Sequence, residues 1–136
     1  MALSELRLIR ITIAALILGL MLELWLIEHY EDLLQFTPLF CVALASILLV
    51  ADRYSNARWI RLAFKGLLVI NAFCALLGVY LHLKANFEFE KEIYTNETTI
   101  NLLINSFSGA LPVFAPGSLL ILSLLGILYL QLTSKN

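Results

Sequence analysis

Charge is scarce in this chain. Only 14% of its 136 residues are Asp, Glu, Lys or Arg, while 61% are hydrophobic. A soluble domain carries about 25% charge and about 45–50% apolar residues. The polar surface is therefore too small to cover a water-soluble globule, and the excess apolar surface needs lipid as its solvent. Cysteine is almost missing: Cys41 and Cys74 are the two present. Neither CxxC nor Cys/His metal spacing occurs. Both cysteines sit in apolar runs and read as packable interior residues. Their similar depth, roughly 12–13 Å from the same end of their helices, is necessary for a disulfide but does not establish one. Basic clusters are also missing, which removes nucleic acid as a partner. GxSxG, HExxH, P-loop and GxGxxG patterns are all absent. No enzyme class is indicated and no cofactor is expected.

Long apolar runs are what the chain does have. They cover approximately residues 8–28, 33–51, 60–83 and 111–132, broken only by isolated polar residues such as Glu23, Gln35, Ser46 and Asn71. Each is near the ~20 residues that a helix needs to cross the hydrocarbon core. In lipid the backbone must satisfy its own hydrogen bonds, so helices are expected. Strand-type alternation is missing from these runs, which argues against a membrane barrel. The fold class read here is an all-α integral membrane domain, residues 1–136, with four transmembrane helices in a bundle. The first run carries Arg7 and Arg10 before it, yet Trp25-Leu26-Ile27-Glu28 offers no small-residue cleavage site. It reads as a retained signal-anchor helix.

Charge signs separate along the chain. Arg7, Arg10, Arg53, Arg58, Arg61, Lys65 and Lys135, seven of the nine basic residues, fall at one end of the expected bundle, against Lys84 and Lys91 at the other. Positive charge stays cytoplasmic, so both termini are expected inside; Glu5 and Asp52 fall inside as well, while the other eight acidic residues lie outside or near the outer boundary. The stretch "EHYED" at 28–32 is then a tight outward connection within an acidic layer.

Residues 84–110 form an outer segment too long for a turn. In "NFEFEKEIY", Phe87, Phe89 and Ile93 alternate with Glu88, Glu90 and Glu92, which predicts an extended strand lying on the helix ends. Next, Ile100, Leu103, Ile104, Phe107 and Leu111 fall at helical spacing, opposite Asn101, Asn105 and Ser108. That predicts a short amphipathic helix of about 12 residues in the outer interface. Asn96 is its expected cap, and Glu97 suits its first turn. Pro112, Pro116 and Gly117 break it before the fourth span.

Candidate functional residues concentrate at the acidic end. Glu23 lies about five residues inside the first helix end, and a carboxylate there is costly unless it faces protein or water. It is expected to point at another helix and find a donor, such as Tyr80, His82 or Asn71. Its functional reading is a proton- or cation-coupled carboxylate. His29 and His82 lie at outer helix ends near Glu28, Glu31 and Asp32. Histidine with carboxylates suits a transition metal, so His29, His82, Glu28 and Asp32 are candidate ligands. Glu88 and Glu90 complete the acidic face. The small-residue pairs Ala15/Gly19, Cys74/Gly78 and Ser123/Gly126 allow close helix approach and are expected to pack within the bundle.

"HYED" at 29–32, Gln35 and Pro38, "LHLKANFEFEKEIY" at 81–94, "SGALPVFAPG" at 108–117 and "LLGILY" at 124–129 resemble a group of small, uncharacterised four-span bacterial inner-membrane proteins. The resemblance covers most of the chain after Trp25. It implies an inner-membrane location and the four-helix layout, and brings no activity or functional residue with it. Small multidrug exporters share the span number and a first-helix acid. This chain departs from them in its strong charge bias, its long outer loop and the position of Glu23.

Three roles follow as expectations. The first is an accessory, assembly or sensing component of a membrane complex, with the lipid bilayer and a protein partner or a homo-oligomer as its contacts. The second is a small oligomeric transporter or channel using Glu23. The third is an outward-facing metal-binding protein.

Overall fold

The computed structural model describes residues 3–55 and 57–134; Lys135, counted above among the basic residues, lies outside them. Five helices follow in order: α1 (Leu3–Leu26), α2 (Leu33–Tyr54), α3 (Arg58–Ile93), α4 (Thr99–Ser106) and α5 (Gly117–Ser134). Among the described residues there is no strand. α1, α2, α3 and α5 are each long and apolar enough to cross a membrane. They neighbour one another in a ring, α1 on α2, α2 on α3, α3 on α5 and α5 on α1, with the α3–α5 interface the most extensive. Ile13, Ile17, Val42, Ala45, Phe64, Leu68, Ala75 and Leu122 fill the axis. Only 17–33% of each spanning window is buried inside the chain, so most of the apolar surface is left for lipid or a partner.

Local chemistry sets the boundaries. α1 ends in a Schellman motif: Glu28 N–H donates to the Trp25 carbonyl and His29 N–H to that of Leu24. Glu28 occupies the left-handed position with φ 54°, where glycine is usual. α2 starts at Asp32, whose carboxylate accepts from Gln35 N–H at 2.8 Å, while the Gln35 side chain accepts from Glu31 N–H at 3.1 Å. The connection "EHYED" is thus a helix stop followed at once by a helix start.

The strand expected at "NFEFEKEIY" does not form. α3 runs unbroken through it to Ile93, making a helix of 36 residues, roughly 54 Å long. A single strand has no partner for its backbone groups, whereas continuing a helix satisfies all of them. Glu and Lys are good helix formers, and Lys84 and Glu88 pair at i, i+4. About 16 of the 36 residues of α3 exceed the ~20 that a ~30 Å hydrocarbon core would take.

The amphipathic helix is shorter than expected, and its cap is Thr98 rather than Asn96. Thr98 Oγ1 accepts from Asn101 N–H, and Glu97, just before the cap, accepts from the Asn101 side chain. Its orientation also differs. Leu102 and Ser106 pack inward, while Ile100, Leu103, Ile104 and Phe107 are exposed. Glycine and proline delay the fourth span to Gly117, six residues later than the apolar run begins.

Small residues divide in their use. A side chain on Gly126 would collide with Leu68, and one on Gly78 with Pro116, so both set close approaches between α3 and the chain around α5. Ala15 and Gly19, expected inside, lie on the exposed face of α1.

Candidate functional site

Two clusters of buried polar groups that join separate elements lie one at each end of the bundle. At the basic end, Asp52 near the end of α2 is buried, with its side chain 1% exposed. Arg61 on α3 places Nε 3.2 Å from its Oδ1, and the Tyr129 hydroxyl on α5 donates to Oδ2 at 2.8 Å. A carboxylate in an apolar environment is costly unless paired and hydrogen-bonded. Here each oxygen has its own donor, and three helices are fastened by one residue. With a donor on each oxygen, Asp52 links α2 to α3 and α5.

Sequence reasoning placed Asp52 at the correct end but gave it no role. One signal was available: Asp52 is a lone carboxylate at the close of α2, set among Arg53, Arg58 and Arg61. Its partner Tyr129 could not be read from spacing, since 77 residues separate them.

At the acidic end, α3 carries a stripe that seats the segment between α4 and α5. Gly78 lies against Pro116. Four residues on, His82 Nδ1–H donates to the Pro112 carbonyl at 3.0 Å. Four further, Asn86, 2% exposed, donates from Nδ2 to the carbonyls of Ser106 (2.9 Å) and Leu111 (2.8 Å). Its Oδ1 accepts from Leu111 N–H at 2.9 Å. Gly109 lies so close that an added Cβ would fall 2.5 Å from Asn86 Cγ. The 106–116 segment is therefore strapped to α3, and α4 with it. Asn86 was missed by sequence reasoning because it falls inside the stretch read as a strand.

The candidates named from sequence scatter. His29 is partly buried and electrostatically coupled to His82 and Asp32. Its pKa is lowered by burial first and by the neighbouring His82 second, with Asp32 opposing. His82 and Asp32 are already engaged, one with Pro112 and the other as the α2 cap. Among the described residues no three His, Cys, Asp or Glu side chains gather where they could hold a metal ion. Glu28 and Glu31 are exposed, as is Glu88, which pairs with Lys84, and Glu90 is half-buried. Tyr80 is 58% exposed.

Glu23 does not turn toward another helix; it is exposed on α1, on the same face as Ala15 and Gly19. Asn71, one of its expected donors, is fully buried, and neither amide atom meets a protein hydrogen-bond partner. Cys41 on α2 and Cys74 on α3 lie side by side as free thiols. Compared with known proteins, the chain matches no family model, no curated protein and no solved structure.

Proposed function

We propose that this chain is a non-enzymatic component of a bacterial inner-membrane assembly, one that docks a protein partner through its acidic outer face. Both termini lie on the cytoplasmic side in this reading, since seven of nine basic residues share that end. The observation that carries the proposal is the strap at Asn86. Its three hydrogen bonds tie the 106–111 segment to α3, while the apolar stripe of α4 faces away. Ile100, Ile104 and Phe114 are 71%, 62% and 70% exposed, and the Phe107 and Phe114 rings stack at 6.3 Å. An exposed apolar patch held in place by the strap, with Glu97 bonded to Asn101 at the start of α4, has the composition of a recognition surface. Asp52 and Asn86, by contrast, spend their buried polar atoms on holding elements together.

The test is photo-cross-linking in cells from a benzophenone side chain placed at Ile104 or Phe107, with Leu18 on α1 as comparison. A discrete protein adduct, the same from both outer positions and absent from Leu18, is expected. Lipid adducts alone from Ile104 and Phe107 overturn the docking role.

A second reading has its own observation. Ala15, Gly19 and Glu23 align on the exposed face of α1. Self-association through the small residues would enclose Glu23 between copies, as an oligomeric proton- or cation-coupled transporter requires. Flux in proteoliposomes that is unchanged by Glu23→Gln removes this carboxylate from any such mechanism.

A further inference from the structure

The basic end carries a groove between α3 and α5 that the roles above leave unused. We propose that it binds the headgroup of an anionic phospholipid. Arg58, Arg61 and Lys65 occupy positions i, i+3 and i+7 of α3, one helix face. Leu62 with Ile127 and Leu130 of α5 supplies an apolar wall, and Gln131 and Ser134 supply hydrogen-bonding groups. The groove has a volume of about 240 Å³.

Charge balance favours an anion. Asp52 neutralises one cation by pairing with Arg61, which leaves Arg58 and Lys65 exposed and without an acidic partner in the lining. Arg61 still has N–H donors beyond the one given to Asp52. Depth favours a lipid. Trp59 at the start of α3 and Tyr54 at the end of α2, 68% and 84% exposed, lie at the same basic end of the bundle, and such rings settle at headgroup level. The apolar wall also matters: a free inorganic anion gains nothing from Leu62 and Ile127, whereas acyl chains cover them. Basic pockets between spanning helices are suited to anionic headgroups.

The test uses the full chain in mild detergent, offered phosphatidylglycerol and phosphatidylcholine with identical acyl chains, and native mass spectrometry to count retained lipid. One phosphatidylglycerol per chain is expected, in preference to phosphatidylcholine. Each exposed cation near the surface contributes about 1 kcal/mol, roughly fivefold in affinity. Arg58→Gln with Lys65→Gln should then weaken retention about 25-fold, and either single change about fivefold. Lys65→Arg and Arg53→Gln, the latter outside the groove, should retain the lipid. Arg61 is left intact because it holds the bundle. Equal retention of the two lipids, or equal loss in Arg53→Gln, overturns the site. Inorganic phosphate binding the delipidated chain as tightly as the phospholipid overturns the choice of ligand. Thermal unfolding of each variant confirms the fold, and the exposed single variants keep the test decisive if the double variant does not fold.

Discussion

Tyr129 donates its hydroxyl to Asp52 Oδ2 at 2.8 Å, joining residues 77 positions apart and closing α5 onto α2. Arg61 holds the other oxygen from α3. Tyr129→Phe is expected to cost about 1–3 kcal/mol, because the oxygen it abandons stays buried. Arg61→Gln should cost at least as much, because it leaves the buried Asp52 carboxylate without its counter-ion, although the 34% exposure of Arg61 screens part of the pair. The two changes act on one carboxylate, so their effects should couple by about 0.5–3 kcal/mol. Equilibrium unfolding in detergent measures the cycle; strict additivity would show that the carboxylate does not join the helices.

The outer strap depends on one amide. Asn86→Ala leaves the Leu111 N–H and two carbonyls without their partner and is expected to loosen residues 106–111 before it loosens the bundle. Hydrogen exchange at Leu111 should accelerate while protection at Phe64 and Leu68 is kept. Gly109→Ala should do the same, since its Cβ has nowhere to go unless Asn86 moves. An unchanged rate at Leu111 in both variants contradicts the strap.

The first connection offers two substitutions of opposite sign. Glu28→Gly relieves a left-handed backbone position that costs a non-glycine residue about 1 kcal/mol, and should leave stability unchanged or raise it. Asp32→Ala removes the α2 cap and should lower stability by about 1 kcal/mol. Thermal unfolding of the pair, compared with the parent, checks both directions.

Acidification should weaken the same corner. His29 sits below its ordinary value of 6.5 when folded, through burial and then the neighbouring His82. The unfolded chain thus takes up the proton first as pH falls. The contribution of His29 is fully present above about pH 6.5 and is lost as pH falls from there through the lower folded value. His29→Gln should flatten this part of the stability–pH curve. An equally steep curve in the variant would place the titrating group elsewhere.

Cys41 and Cys74 provide a check on the α2–α3 packing. Mild copper-phenanthroline oxidation should bridge them within one chain, seen as a shift in mobility that reduction reverses. Cys41→Ser must abolish it. A bridge formed only between chains would mean that α2 and α3 do not pack as described.

Much of the architecture was legible in advance. Apolar runs of spanning length dictate helices because lipid offers the backbone no partner, and all four were visible as runs. The sorting of Arg and Lys against Asp and Glu marked the two ends. The α1–α2 connection was recognisable as a polar break, although the cap at Asp32 was not assigned. What misled was alternation at Phe87–Glu90: a period of two states which residues are apolar, not whether a neighbouring strand exists.

Composition and order along the chain therefore determined four apolar helices and a charged pole at each end, since both follow from how single segments partition between water and hydrocarbon. Tertiary structure alone decided that Asp52 meets Tyr129, that Asn86 holds the strap, that Glu23 faces outward and that the α4 stripe turns away from the bundle. Those outcomes depend on helix rotation and on contacts between distant segments, which no local pattern encodes.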